Sequence, residues 1–375
     1  MRHRSKSREL RKALAAVLIS AFAACPASLV GQSAKPFEVL VVGDSLIWGQ
    51  GLEEKDKIFT KVASWLRDGA LGSTRRVDVK VKAHSGSTLK FHADEAEAYR
   101  RARRDETFYY PPEVNVSFPS TWKQIEVAAS EYNAAGKSSA DLILLSGCIT
   151  DITVAKVLDP KGDNDMLKRW AKKYCHDDML DVLDHAARLN PEAAIAVVAY
   201  FPMISPRSNG VRLFNSWLEA RGTPRLLKGF MNNALMRKLY FQKTGDKAIA
   251  RSRLWFEEST KNLESAVDDF NRKYERPRAI FVRSPLTEEN SVEAPNTLLF
   301  KMGKRGIPED PVFPQRKADC DAALPELKRS TGLVYPVRFC EVAGVGHPNR
   351  AGSRAYADAV INALPSVLSR SRAGQ

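Results

Sequence analysis

The chain has 375 residues, of which 44% are hydrophobic and 27% are charged, and its formal net charge is +14. This balance is typical of a globular protein with enough chain to bury a sizeable core. It favours one large domain, or one domain with insertions, over three small domains.

The first 34 residues form a segment that we do not expect to belong to the fold. Six Lys and Arg residues between positions 2 and 12 precede an apolar stretch from Ala13 to Ala24, and small residues follow. This order predicts a secretory signal, because the apolar stretch is short for a membrane span. Cys25 also suits a bacterial lipoprotein attachment site, which ranks second because Phe22 fits that motif poorly, and an uncleaved membrane anchor ranks third. We therefore expect an exported protein, periplasmic or extracellular.

The basic charge is spread along the chain. Without residues 1–34, 52 Lys and Arg stand against 43 Asp and Glu, a net charge of +9. The dispersal favours an ordinary solvated surface over attraction to anionic lipids or acidic polysaccharide, although association with the cell envelope stays open. Nucleic-acid binding is not expected, since export removes that partner and no nucleic-acid-binding motif is present.

Four cysteines remain when Cys25 is set aside, and an even number in an oxidising compartment permits disulfides. Cys320 and Cys340 are the favoured pair, because both lie in a segment rich in loops. Cys148 and Cys175 are interpreted as buried thiols. The sequence has no Cys-x-x-Cys motif, so a zinc site has little support.

Five apolar runs predict parallel strands, and most are rich in Val, Ile and Leu, as burial on both faces requires. Helical patterns alternate with them, which predicts a doubly wound α/β fold. The predicted strands are Val39–Gly43, Val77–Ala83, Leu142–Ser146, Ala193–Tyr200 and Ala279–Val282. The predicted helices are Phe59–Asp68, Thr121–Ala135, Met166–Leu189 and Ala355–Leu368.

Three segments exceed what this core needs. Lys90–Pro119 is polar and aromatic and predicts a long loop near the edge of the sheet. Residues 288–345 contain many prolines and predict a second irregular region. Leu213–Tyr274 has apolar residues at helical spacing and predicts a helical insertion, over about 210–275, between the fourth and fifth strands. Its role is either packing on the sheet or a lid or substrate platform over the functional edge.

The most informative motif is Gly43-Asp44-Ser45-Leu46, which directly follows the first predicted strand. Parallel α/β sheets carry their chemistry at the edge where the strands end. A serine there attacks an ester if a base reaches it, and its N–H can donate to the developing oxyanion. Ser45 is therefore the candidate nucleophile, with Asp44 as a supporting residue. The alternative is an ordinary turn and helix cap.

Two further motifs follow predicted strands in the same way. Gly86 comes after the second strand, and its N–H can approach a bound carbonyl closely because glycine has no side chain. Thr150 comes after the third strand, and its hydroxyl is a candidate donor to the same oxyanion. Asp151 is a candidate for fixing that loop. Each motif alone is equally typical of a turn or a helix cap.

His347 is the candidate general base. It lies in Gly346-His347-Pro348-Asn349, 302 positions after Ser45, so that only a fold could join the two. The proline stiffens the loop and a predicted helix follows, which suits a positioned base. His176 and His185 lie on a predicted helix and are interpreted as structural or exposed.

Together these motifs carry a resemblance to a known family. From Gly-Asp-Ser-Leu through Gly86 and Cys148–Asp151 to His347, the chain resembles the SGNH hydrolases of the GDSL esterase/lipase superfamily over most of its mature length. The resemblance implies a flavodoxin-like three-layer α/β/α sandwich with about five parallel strands. It also implies Ser45 as nucleophile, His347 as base, and an oxyanion hole formed by the N–H groups of Ser45 and Gly86 and a side chain of the third motif.

Two positions depart from the family pattern. The family's third motif is Gly-x-Asn-Asp, and here Cys148 and Thr150 replace the glycine and the asparagine. A threonine hydroxyl is shorter than an amide and can be used as a donor elsewhere, and loss of one oxyanion donor costs on the order of 100-fold in turnover. The family usually has Asp three residues before the histidine, where this chain has Gly344. We therefore expect a backbone carbonyl, Glu341 or a distant acid to orient His347.

Three functions are compatible with these residues. The favoured one is an exported serine esterase that hydrolyses a small acyl ester or an O-acylated glycan through an acyl-serine intermediate. An O-acyltransferase would use the same intermediate. A catalytically weakened protein that binds cell-wall glycan is kept open by Thr150 and Gly344. The mechanism needs no cofactor, and the sequence contains no nucleotide or metal motif.

Overall fold

A computed structural model of the chain describes residues 35–70, 75–105, 110–137, 139–221 and 242–371. The predicted secretory signal, with Cys25, and positions 222–241 of the predicted insertion lie outside these residues. The described helices include none that is both long and apolar enough to cross a membrane.

Five parallel strands form a single sheet in the order β2-β1-β3-β4-β5. The strands are β1 (Phe37–Gly43), β2 (Val77–Val81), β3 (Leu142–Ser146), β4 (Ala194–Val198) and β5 (Ala279–Val282). Every residue of the three central strands is buried, which explains their largely apolar sequences, with Glu38 of β1 as a charged exception. The chain reverses its direction of winding beside β1, so the end of β1 lies at the point where such folds bind ligands. The predicted flavodoxin-like sheet is confirmed.

The helices surround this sheet in chain order. They are α1 (Ser45–Trp48), α2 (Ile58–Trp65), α3 (Ala93–Arg101), α4 (Thr121–Ala134), α5 (Ile149–Ile152), α6 (Val154–Val157), α7 (Asn164–Trp170), α8 (Met179–Leu189), α9 (Gly210–Ala220), α10 (Gln242–Asn271), α11 (Phe313–Thr331), α12 (Val337–Glu341), α13 (Arg350–Ala363) and α14 (Pro365–Ser371). A π-helical segment, Ala171–Asp178, joins α7 to α8.

Helices cover both faces of the sheet. α2 and α13 pack together on one face, and α4, α8 and α10 pack on the other. Trp255, Leu263 and Phe270 of α10 are fully buried in the main core. α9 and α10 agree with the helical pattern predicted for the connection between β4 and β5. α10 itself is the crossover that parallel strands require, which agrees with the packing role.

Two segments predicted as irregular contain helices. α3 lies within Lys90–Pro119, where Ala and Glu favour a helix, acidic residues occupy its first turn and arginines its last. α11 lies within residues 288–345 and has Pro314 in its first turn, where a missing N–H costs little. The loop predictions were wrong for both stretches, because polar residues of high helix propensity and a proline in the first turn are compatible with a helix.

A second, smaller core joins these two segments. Its side chains come from α3, from the loop before α4, and from α11 and α12. The buried members are Tyr99, Tyr110, Val114, Val116, Phe118, Cys320, Ala323, Leu324, Leu327 and Cys340. This core fixes the position of residues 111–118 beside the sheet.

Two disulfides cross-link the described chain. Cys320 is bonded to Cys340, as predicted. Cys148 is bonded to Cys175, so the interpretation of these two as buried thiols was wrong. Both are fully buried, as free cysteines also often are, and only the fold brings the loop after β3 against the π-helical segment.

Candidate active site

The end of β1 places Ser45 at the carboxyl edge of the sheet. Gly43, the last residue of β1, has φ +126°, and a methyl group on it would overlap the carbonyl oxygen of Ser146 on β3. Only glycine permits this approach of the two strands. The chain then turns into α1, whose first residue is Ser45.

Asp44 holds this turn. Its Oδ1 accepts hydrogen bonds from the Leu46 N–H at 3.1 Å and from the Ser146 hydroxyl at 2.6 Å, and its Oδ2 accepts one from the Tyr200 hydroxyl. Burial raises the pKa of Asp44, and the hydrogen bonds from Ser146, Tyr200 and Leu46 oppose that rise. The carboxyl group therefore ties the end of β1 to the ends of β3 and β4.

The structure brings Ser45 and His347 together. His347 Nε2 lies 2.8 Å from Ser45 Oγ, and the serine is only 8% exposed. The histidine loop is held by the Phe300 N–H, which donates to the His347 carbonyl at 2.8 Å, and by the Gly346 N–H, which donates to the Phe300 carbonyl at 2.9 Å. Asn349 then caps α13. A hydroxyl and an imidazole in this arrangement can exchange a proton.

The imidazole of His347 is a weak base. Burial lowers its pKa to about 4, the Ala343 carbonyl opposes this change, and the positive charge of Arg316 adds to it. Nδ1 of the ring is buried and makes no hydrogen bond of normal geometry with any residue that the structure describes. The ring is thus neutral over most of the pH range, which a general base requires.

Glu341 does not orient His347. Its carboxylate lies 2.8 Å from Lys317 Nζ and 2.8 Å from Arg338 Nη1, so both of its oxygens are engaged. Of the three groups expected to orient the ring, the Ala343 carbonyl is the one that acts on its pKa.

A buried ion pair occupies the space beside Gly344. A methyl group on Gly344 would lie 2.5 Å from Asp310 Oδ2 and 2.9 Å from Arg316 Nη2. Both oxygens of Asp310 accept from the Arg316 guanidinium, at 2.9 and 2.7 Å, and both side chains are fully buried. Glu113 completes the cluster at 3.0 Å from Arg316. The volume in which an aspartate side chain at position 344 would begin is therefore already filled.

Gln124 of α4 connects the first two motifs, and the sequence analysis missed it. Its Oε1 accepts from the Gly43 N–H at 2.7 Å, and its Nε2 donates to the Ser87 hydroxyl at 2.9 Å. The side chain is buried. The sequence offers one sign of its role, which is that Gln124 is a polar residue on the apolar face of a predicted helix. The hydrogen-bond partner of such a residue cannot be identified until the fold is known.

The third motif is bound to the second. The Thr150 hydroxyl donates to the Ser87 carbonyl, and both carboxylate oxygens of Asp151 accept from the Leu89 N–H at 3.2 Å. Burial raises the pKa of Asp151. Because the single hydroxyl proton of Thr150 is used in this contact, Thr150 does not occupy the role of oxyanion donor that was predicted for it. Asp151 fixes the loop through Leu89.

Cys148 has a backbone conformation that L-residues rarely adopt. Its φ is +110°, although the family pattern has glycine there, and its sulfur is bonded to Cys175. A side chain in this region costs on the order of 1–3 kcal/mol. The disulfide and the packing around α5 therefore hold a strained residue two positions before Thr150.

We expect glycine at position 148 to relieve this strain. The matched pair is Cys148→Ala with Cys175→Ala and Cys148→Gly with Cys175→Ala, since both lack the disulfide. The glycine protein should be more stable by about 1 kcal/mol, because relief of strain outweighs the added entropy of its unfolded chain. Urea-unfolding midpoints measure this difference, and an alanine protein of equal or greater stability would contradict it.

A surface cavity of about 480 Å³ opens next to the histidine loop. Leu52, Phe300 and Asn349 line part of it. Its described lining does not include Ser45 or His347, so we do not assign it as the acyl site.

Three of the solved structures to which this chain is similar are esterases or lipases. A carbohydrate esterase family 2 enzyme with a carbohydrate-binding domain from Myceliophthora fergusii is 13% identical, with 90% of this chain and 68% of that chain covered and a TM-score of 0.39. An extracellular lipase from Streptomyces rimosus is 12% identical, with 87% and 99% covered and a TM-score of 0.44. A phospholipase A1 from Streptomyces albidoflavus is 11% identical, with 88% and 99% covered and a TM-score of 0.40.

All three TM-scores lie below 0.5, so these likenesses carry no argument about this chain. No protein-family model matches the chain, and no curated protein matches its sequence. The activity has to be inferred from this chain's own residues.

Proposed function

We propose that this protein is an exported serine esterase that hydrolyses carboxylic esters, either small acyl esters or O-acylated glycans. The observation that carries the proposal is the 2.8 Å contact between Ser45 Oγ and His347 Nε2, which joins two motifs 302 positions apart. Each motif lies in a loop fixed by glycine geometry and backbone hydrogen bonds. A nucleophile and a base at hydrogen-bonding distance are the minimum that acyl transfer needs.

In the proposed reaction, neutral His347 takes the hydroxyl proton as Ser45 Oγ attacks the carbonyl carbon. A C–O bond forms, and the carbonyl oxygen becomes an oxyanion, to which the N–H groups of Ser45 and Gly86 donate. The bond to the leaving alcohol then breaks, and the alcohol receives the proton from His347. Water repeats the sequence on the acyl–Ser45 intermediate and releases the acid. No step requires a cofactor.

Reaction with a fluorophosphonate probe tests the proposal. The full chain should become covalently labelled, because the probe phosphonylates a serine only when a base activates it. Digestion and mass spectrometry should place the label on Ser45. Ser45→Ala should abolish the label, and Ser64→Ala, which removes an exposed serine on α2, should not change it. A folded wild-type protein without label, or label that persists in Ser45→Ala, contradicts the proposal.

A second candidate is a glycan-binding protein with weakened catalysis. Two observations favour it: Nδ1 of His347 makes no hydrogen bond of normal geometry to the described residues, and the Thr150 hydroxyl is used by the Ser87 carbonyl. Such a protein would bind O-acylated glycan and resist labelling, so the same experiment separates the two functions. Transfer of the acyl group to a sugar hydroxyl would be recognised by analysing the products formed from a donor ester and a glycan.

A further inference from the structure

The site described so far has one oxyanion donor fewer than the motifs predict. Thr150 donates its hydroxyl proton to the Ser87 carbonyl, which leaves the N–H groups of Ser45 and Gly86. Oxyanion holes gain much of their effect from each further donor, and removing one costs about 100- to 1,000-fold in turnover. A polar side chain near Gly86 with an N–H that makes no other hydrogen bond would supply the missing donor.

Asn115 lies directly against Gly86. A methyl group on Gly86 would overlap Asn115 Oδ1 and would lie 2.6 Å from the carbonyl oxygen of Val116. The Asn115 side chain is partly exposed. Its backbone N–H contacts the sulfur of Cys340, whereas its amide group makes no hydrogen bond to the residues described by the structure. The amide is thus available to a bound molecule beside Gly86.

The segment that carries Asn115 runs between the first two motifs. Two residues before it, the Glu113 carboxylate accepts from the Gly51 N–H at 3.3 Å, in the loop that follows α1. One residue after it, the Val116 N–H donates to the Ser85 carbonyl at 3.2 Å. The second core holds the same segment through the buried side chains of Val114 and Val116. Asn115 is therefore placed on a fixed backbone beside both loops of the site.

We propose that Asn115 is a catalytic residue, and that its Nδ2–H donates to the oxyanion in the position left open by Thr150. An amide has two protons on Nδ2, and it reaches further than a threonine hydroxyl. The inference rests on the proposed function, because an oxyanion forms only if Ser45 attacks an ester. A side-chain donor is thus supplied by the loop before α4 instead of the loop after β3.

Steady-state hydrolysis of p-nitrophenyl acetate by the full chain tests this inference. Asn115→Ala removes the amide, and Asn115→Asp keeps the shape of the side chain without its N–H donors. If the alanine variant does not fold, the aspartate variant still gives the result. Both should lower kcat about 100-fold with little change in KM, since the donor acts in the transition state. Asn133→Ala removes an exposed asparagine of α4 and should have the wild-type kcat.

The outcomes separate this inference from the proposed function. Wild-type hydrolysis that depends on Ser45, with full kcat in both folded Asn115 variants, overturns the role of Asn115 and leaves the esterase standing. A higher KM with unchanged kcat also overturns it, because the amide would then bind the ground state. A wild-type protein that neither hydrolyses the ester nor reacts with a fluorophosphonate overturns the proposed function and this inference with it.

Discussion

Ser45→Ala and His347→Ala should each lower kcat for ester hydrolysis by on the order of 10⁴- to 10⁶-fold, and the double variant should lose no more than the worse single variant. The reason is that the two side chains act as one unit across the 2.8 Å contact. Without the base, the hydroxyl keeps its proton; without the hydroxyl, the base has no proton to take. The measurement is kcat for the four proteins with one activated ester, at a pH where all are folded.

His92→Ala is the matched control for the histidine change, since His92 is partly exposed, lies outside the proposed site, and caps α3 without a side-chain hydrogen bond. It should have the wild-type kcat. Additive losses in the double variant would mean that Ser45 and His347 contribute to separate steps. Residual hydrolysis equal to that of wild type in Ser45→Ala would assign the reaction to another group.

The sheet could be predicted because its strands are local patterns. Leu142–Ser146 and Ala279–Val282 have the predicted bounds, since in both the apolar run begins and ends with the strand. The second strand ends two residues earlier than predicted. There the N–H groups of Lys82 and Ala83 both donate to the carbonyl of Val41, which ends the regular ladder although the apolar pattern continues.

The contact between Ser45 and His347 could also be predicted, because each residue lies in a short motif that suits a turn at a strand end or a helix start. The groups around them could not. Gln124 binds Gly43 across 81 positions, and Arg316 binds Glu113 across 203. Asn115 has no motif of its own. Such contacts depend on which loops the fold brings together, and the spacing of residues within a short motif does not predict them.

The surroundings of His347, where the family pattern has an acid, could not be predicted from the sequence for the same reason. Gly344, three positions before the histidine, has no side chain that could orient the ring, and the sequence could not show that Asp310 and Arg316 fill the space beside it. The pair places a positive charge near the imidazole where an aspartate would place a negative one. This charge works against the imidazolium ion, so it bears directly on the pH at which the base functions.

The activity should persist in acid to an unusual degree. Burial lowers the pKa of His347 to about 4. The Ala343 carbonyl opposes this change, and the positive charge of Arg316 adds to it. At pH 5 about nine-tenths of such rings are neutral, against roughly 3% for a histidine with the ordinary value near 6.5, a difference of about 30-fold in available base. We expect kcat/KM at pH 5 to be within about twofold of its value at pH 7, and to fall tenfold per pH unit below about 4.

Protein stability changes in the same range and has to be separated from catalysis. Burial also lowers the pKa of His84 to about 4, so at His84 and His347 the unfolded chain binds more protons than the folded one between about pH 6.5 and 4. The contribution of these two histidines to the free energy of unfolding therefore falls as the pH falls through this window. Returning each sample to pH 7 and assaying it again removes this effect from the profile. An acid limb centred near pH 6.5 in samples that recover fully would show that His347 is solvated as an ordinary histidine, and would contradict the prediction.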